Sequence, residues 1–119
     1  MAIRDDVWAL FHRGRYDTAV FEAMKAVEVA VREAAKFGDD RYGTQMMRDA
    51  FGKGGPLRDA GQQTAEADAL LMLFQGAIGS YKNPHSHRNV PLDDPDEAAE
   101  IIMLANHLLR IVYTRANFQ

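Results

Sequence analysis

Hydrophobic residues recur every three or four positions along nearly the whole chain, the spacing that places side chains on one face of an α-helix. The pattern predicts a short first helix ending at Gly14, a long helix over about Asp17–Lys36, one or two turns over Met46–Phe51 entered through Thr44, and a third main helix over about Thr64–Tyr81. No alternating run of β-branched residues is long enough for a sheet. We therefore predict an all-α fold, an up-and-down helical bundle of about four main helices plus short ones, in a single domain over residues 1–119.

Glycines mark points where these helices are expected to end or to meet. Gly38 is expected to end the long helix, because glycine adopts the left-handed cap conformation without a side-chain clash. Gly76 and Gly79 lie inside the third main helix, where each costs about 1 kcal/mol relative to alanine. We expect another backbone to approach there. The side chains of this helix expected to face the core are Leu70, Leu73, Phe74, Ala77, Ile78 and Tyr81.

The final helix has a clear start and a wide apolar face. Asp94 is its predicted N-cap and Pro95 its first residue. Its apolar residues form two adjacent stripes, Ile102, Ala105, Leu109 and Val112 in the first and Ile101, Leu104, Leu108 and Ile111 in the second. One stripe can line the bundle core, and we expect the other to pair with a second subunit.

Composition excludes several classes of protein. The chain has no cysteine, which rules out a disulfide scaffold, a thiolate nucleophile and any cysteine-based metal site. Its longest apolar stretch, Ala69–Phe74, is too short to cross a bilayer, and the first residues lack the apolar run of a signal peptide. We therefore expect a cytoplasmic protein with no membrane partner. A net charge of −3 does not favour non-specific binding to nucleic acid.

Two superficially functional patterns have simpler explanations. Gly52–Gly55 lacks the spacing and the preceding strand of a phosphate-binding P-loop, so we interpret it as a flexible turn. His85 and His87 are two residues apart, but no third histidine or cysteine lies nearby to complete a metal site. We predict neither a metal nor a cofactor.

The long helix carries a polar face made of Lys25, Glu28 and Arg32. The simpler interpretation is a solvated flank, on which the Glu28–Arg32 pair at four-residue spacing contributes a few tenths of a kcal/mol. The alternative is that the helix lines a shared cleft and that these side chains meet a substrate.

The densest cluster of functional groups is Tyr81–Arg88, with the sequence Tyr-Lys-Asn-Pro-His-Ser-His-Arg. Pro84 disfavours helix at Asn83, so we expect the chain to break there and Asn83 to cap a new turn. The positive end of such a turn favours a phosphate, and imidazole is the side chain best suited to proton exchange near neutral pH. The alternative is a surface turn whose histidines are solvated.

Four segments cover almost the whole chain: Leu10–Ala35, Phe74–Arg88, Asp94–Ile101 and Leu108–Ile111. In this order they resemble the Ymh-type family of HEPN domains. HEPN domains are helical bundles that usually dimerise, so the resemblance implies a HEPN-like bundle.

Many members of this superfamily are metal-independent ribonucleases with an Arg-x4–6-His motif, often with a polar residue directly after the arginine, and the motifs of two subunits meet at the dimer interface. On this chain the histidine falls on His87, the polar residue on Asn83 and the arginine position on Lys82. Lysine keeps the charge but lacks the planar, two-pronged donor set of arginine. The other residues expected to contact RNA are His85, Ser86, Arg88, Glu28 and Arg32.

The resemblance implies transesterification of RNA. His87 would act as general base on a ribose 2′-OH, and Lys82 would offset the charge of the phosphorane. Because this reaction needs the 2′-OH, RNA is the expected substrate rather than DNA.

Many relatives of this type belong to toxin–antitoxin, abortive-infection and other phage-defence systems. The expected partners are therefore a second copy of the chain, an RNA substrate, and an antitoxin or another defence-system protein. The alternative hypothesis is a catalytically weakened HEPN dimer that binds a nucleotide or a protein. A further hypothesis is that the chain forms the C-terminal half of a longer protein, although no linker in the sequence points to one.

Overall fold

A computed structural model describes residues 3–84 and 91–116, and within them the secondary structure is entirely helical. The elements are α1 Asp5–His12, α2 Tyr16–Ala35, α3 Gly43–Phe51, α4 Thr64–Ala77, a π-helical turn Ile78–Lys82, and α5 Pro95–Ala116. The prediction of an all-α bundle is confirmed at this level. None of the helices in the described part of the chain is both long and apolar enough to span a membrane.

The two longest helices, α2 and α5, pack against each other and form the centre of the core. Small residues at their contact, such as Ala23 on α2 and Ala105 on α5, are fully buried and let the two backbones approach. α1 covers one side of this pair, and α3 contacts α2 on another. α4 packs mainly on α3, where the rings of Phe51 and Phe74 stack with centroids 4.2 Å apart.

The predicted start of the final helix is confirmed, and each of its two apolar stripes contains residues that are buried within the chain, while the pairing of one stripe with a second subunit stays a prediction. The Asp94 carboxylate accepts a hydrogen bond from the N–H of Asp96 at 2.9 Å, as an N-cap does. Ile102 of the first stripe and Leu108 of the second are both fully buried. α1 also contacts α5, and two residues before α1 the N–H of Ile3 donates to Asn106 Oδ1 of α5 at 2.7 Å.

The end of α2 also differs from its prediction. Lys36, rather than Gly38, takes the left-handed conformation, with φ +61°. Its N–H donates to the carbonyl of Glu33, and the N–H of Phe37 donates to the carbonyl of Arg32, so the left-handed residue that closes the helix lies two residues before Gly38. These two hydrogen bonds offset the strain of a side chain at positive φ.

One side of α4 remains uncovered by the rest of the described chain. Leu73, predicted to face the core, is 41% exposed. Gly76 has open space where a side chain would stand, and Gly79 lies near the side chain of Thr44 rather than a backbone. Within the described chain, the expected close approach of a second backbone is therefore found at neither glycine.

Candidate charged site

Lys82 ends the π-helical turn that extends α4, a wider turn than the α-helix. The N–H of Asn83 donates to the carbonyl of Ile78, five residues back, and Asn83 has helical dihedral angles, φ −63° and ψ −43°. The predicted break and cap at Asn83 are therefore wrong. In an α-helix the ring of Pro84 would meet the carbonyl four residues back. The wider turn shifts the carbonyls ahead of Pro84, so the chain stays helical up to the proline.

Glu28 supplies the negative charge of the site. It lies on α2 and is 4% exposed, the one buried charged residue among those described. Its Oε2 accepts a hydrogen bond from the N–H of Gly43 at 2.9 Å. Gly43 is the first residue of α3, so the carboxylate of one helix caps the positive end of another.

Two cations approach the same carboxylate from different elements. The Nζ of Lys82 lies 3.4 Å from Glu28 Oε2, and Arg32 Nη2 lies 3.6 Å from Glu28 Oε1. The Lys82 and Arg32 side chains are only 14% and 18% exposed. The interpretation of Glu28 and Arg32 as a solvated flank is therefore wrong: α2 turns these residues inward, and the three side chains form a cluster with a net charge of +1.

Stability alone does not account for such a cluster. Removing charges from water is costly, and a buried ion pair is often no more stabilising than apolar side chains of similar volume. π-helical turns are likewise uncommon, and they occur frequently at functional sites. The cluster and the turn coincide at Lys82, which marks this place as the candidate site.

Residues 1–112 match the model of a family described as "Protein of unknown function (Hypoth_ymh)". The chain belongs to the Ymh family. No curated protein and no solved structure matches it. All three residues of the charged cluster lie within the part of the Ymh chain that the family model covers.

The structure brings some of the predicted site residues together and separates another. Asn83 is half-buried directly after Lys82. Lys25, on the same predicted polar face as Glu28 and Arg32, is exposed and lines a different groove of about 570 Å³ between α1, α2 and α5 of the Ymh protein. The predicted residues that lie outside the described part of the chain are His85, Ser86, His87 and Arg88.

Sequence reasoning missed the loop between α2 and α3, which holds the cluster from the other side. Arg32 Nε donates to the carbonyl of Arg41 at 2.8 Å, and Glu28 accepts from Gly43. No local sequence motif predicts these contacts of Arg32 and Glu28 with the loop. One signal was available: Glu28 stands four residues after Met24 and three before Val31, and so lies on the stripe of α2 that faces inward.

The glycine-rich segment of the Ymh chain is a turn that follows α3. A Cβ at Gly52 would collide with the backbone carbonyl of Arg48, and one at Gly55 with that of Ala50. The predicted turn is confirmed, and the two glycines are explained by the tight path of the chain after α3, which the sequence did not predict.

Proposed function

We propose that this Ymh protein is a metal-independent endoribonuclease of the HEPN type, which cleaves RNA at a site formed by Lys82, Asn83 and His87. The observation that carries the proposal is the cluster in which one buried carboxylate, Glu28, faces the two cations Lys82 and Arg32. Its excess positive charge lies directly before the histidine-bearing segment in the sequence, where a phosphodiester would be attacked.

The proposed reaction is an internal displacement at phosphorus. His87 takes the proton from the ribose 2′-OH, the 2′-oxygen bonds to the adjacent phosphorus, and the bond from phosphorus to the 5′-oxygen breaks. A second histidine, His85 or the partner subunit's His87, protonates the leaving 5′-oxygen. The products are a 2′,3′-cyclic phosphate and a 5′-hydroxyl, and the ammonium of Lys82 offsets the charge that develops on the phosphorane.

Within this proposal Glu28 positions Lys82 and does not contact RNA. Its Oε2 already accepts from Gly43 and faces Lys82, and its Oε1 faces Arg32. A carboxylate presented to RNA would repel phosphate, whereas one buried beneath Lys82 fixes the ammonium in place. A fixed ammonium needs no reorganisation as charge develops at phosphorus.

The proposal includes a homodimer whose two sites lie near each other. The supporting observation is the stretch Ala69–Tyr81 on α4 and the π-helical turn, which contains no charged residue and in which Met72 and Leu73 are exposed. The last exposed residue of this stretch is Ser80, two residues before Lys82, so pairing two copies at that end of it would place the two sites at one interface. A cytoplasmic role in phage defence, with an antitoxin or another defence-system protein as partner, completes the proposal.

The deciding experiment is cleavage of total RNA and transfer RNA in the presence of EDTA. The wild type is expected to cut and to leave cyclic phosphate ends, and His87→Ala is expected to lose activity by about 10²–10⁴-fold. His107→Ala, which removes an exposed histidine of α5, is the matched control and should cut like the wild type. Equal cutting by His87→Ala would contradict the assignment of the general base.

A binding module remains the second candidate, and one observation favours it. The ammonium of Lys82 is already engaged by Glu28, and lysine cannot hold a second partner in the two-pronged way of arginine. If a well-folded wild type does not cut RNA and Lys82→Arg restores cutting, the lysine accounts for a weakened site. If neither protein cuts, the non-catalytic module is the better description.

A further inference from the structure

The loop between α2 and α3 presents an aromatic side chain beside the charged cluster. Tyr42 is 67% exposed, and it is the one aromatic residue among the large, strongly exposed apolar side chains of the described residues. The others, Met72, Leu73 and Met103, lie on α4 and α5. An exposed aromatic ring is therefore found where the chain passes the candidate site.

The backbone on both sides of Tyr42 is held by members of the cluster. Arg32 Nε donates to the carbonyl of Arg41, the residue before it, and Glu28 accepts from the N–H of Gly43, the residue after it. Tyr42 itself is extended, with φ −163°, and its carbonyl accepts from the N–H of Met46 at 3.3 Å. The cluster thus fixes the backbone at Tyr42, while the side chain is exposed to solvent.

The contacts also limit how far Tyr42 lies from Lys82. Gly43 N is 2.9 Å from Glu28 Oε2, which is 3.4 Å from Lys82 Nζ, so the Cα of Tyr42 is at most about 9 Å from that ammonium. A ring rooted at this distance can reach the base of a nucleotide whose phosphate lies at Lys82. Aromatic side chains beside a cationic groove are the usual platform on which single-stranded bases stack.

We propose that Tyr42 is a base-stacking residue that selects single-stranded RNA and orients it on Lys82. The inference rests on the proposed function, because it takes RNA as the substrate. The π-face of every base can stack on the ring, so the residue confers a preference for unpaired nucleotides rather than for a sequence. The hydroxyl group is not required.

Kinetics separate the ring from the rest of the side chain. Tyr42→Ala and Tyr42→Leu are expected to raise the KM for single-stranded RNA between about 5-fold and about 100-fold, with Tyr42→Phe close to the wild type. Met103→Ala, which truncates an exposed side chain on α5, is the control and should leave KM unchanged. An unchanged KM in Tyr42→Ala would overturn the proposal.

Binding tests the same residue without relying on cleavage. In a His87→Ala background, Tyr42→Trp adds a fluorophore at the proposed platform and Met103→Trp adds one elsewhere. A 12-nucleotide oligoadenylate is expected to quench the added fluorescence of Tyr42→Trp, while heparin, a duplex RNA and the Met103→Trp protein show no such quenching. Equal quenching by heparin, or none by oligoadenylate, would overturn the inference.

The outcomes of these experiments distinguish failure of the proposed function from failure of the stacking proposal. If oligoadenylate quenches Tyr42→Trp but the wild type does not cut RNA, the endoribonuclease activity is contradicted and the stacking role of Tyr42 is supported. If the wild type cuts RNA, but Tyr42→Trp shows no quenching and Tyr42→Ala has an unchanged KM, the endoribonuclease activity is supported and the stacking role of Tyr42 is contradicted.

Discussion

The candidate site depends on Glu28. Its carboxylate balances the charge of Lys82 and Arg32, and it also accepts the hydrogen bond from the first N–H of α3. Removing Lys82 would leave Arg32 to neutralise it. Removing the charge of Glu28 would leave two cations beside each other at low exposure. The consequences of substitution are therefore asymmetric within the cluster.

Glu28→Gln is expected to lower the free energy of unfolding by roughly 2–3 kcal/mol. This is less than the 3–5 kcal/mol typical of a broken buried pair, because Lys82 and Arg32 keep some contact with water. Glutamine still accepts from Gly43, so the loss reports on charge. Urea denaturation measures it, with Glu33→Gln, an exposed carboxylate on the same helix, as the control expected to stay within about 0.5 kcal/mol of the wild type. Equal stability of the two variants would contradict this account of the cluster.

For individual residues, the sequence predicts the Glu28–Arg32 pair but not the cluster of these two residues with Lys82. The four-residue spacing of Glu28 and Arg32 predicts their contact, which the structure confirms. The contact with Lys82 and the hydrogen bond from Gly43 join residues far apart in the chain. Only the packing of the helices sets such distances, so no local pattern could have predicted them.

The extents of the helices follow from periodicity, whereas their ends depend on tertiary contacts. Four- and three-residue spacing correctly predicts each helix of the bundle, and Asp94 correctly predicts the start of α5. The ends that were mispredicted are those of α2, closed at Lys36 by its own hydrogen bonds, and of α4, widened into a π turn ahead of Pro84. At both helix ends, residue type alone does not specify which carbonyls accept the last backbone hydrogen bonds.

Substitution of two glycines, Gly55 after α3 and Gly76 in α4, tests how the helices and turns contribute to stability. Gly55→Ala is expected to destabilise the fold by at least about 1 kcal/mol, because its Cβ would collide with the carbonyl of Ala50 at the end of α3. Gly76→Ala has open space on α4 and is expected to stabilise by up to about 1 kcal/mol through helix propensity. Thermal unfolding compares the two. A stabilising Gly55→Ala would show that the turn after α3 can take another path.

For the whole molecule, the question is which apolar face meets another chain. Amphipathic periodicity shows that a helix has an apolar face but does not show what covers it. On α5 both stripes contain fully buried residues, whereas α4 leaves Leu73 and Met72 in solvent. Within the described chain the more exposed apolar face is therefore that of α4, which periodicity alone could not show, and the second subunit expected along α5 stays a prediction.

Met72→Glu tests the dimer proposed along α4. Its side chain is exposed, so the variant is expected to fold normally and to shift the protein from dimer to monomer, with loss of RNA cleavage. Met103→Glu, an equivalent change on α5, should remain dimeric and active. Sedimentation velocity over a range of concentrations measures both. If Met72→Glu remains a dimer, the interface lies on another face.

The hydrogen bond between Gly43 and Glu28 also gives the molecule an internal reporter. Amide protons in the first turn of a helix usually exchange readily with solvent, since no helical carbonyl protects them. The amide proton of Gly43 is instead held by a buried carboxylate, so it is expected to exchange slowly compared with those of Thr44 and Gln45 beside it. Any ligand, subunit or substitution that displaces Glu28 would release this proton. The state of the charged cluster can thus be followed at one backbone amide, whether or not a substrate is known.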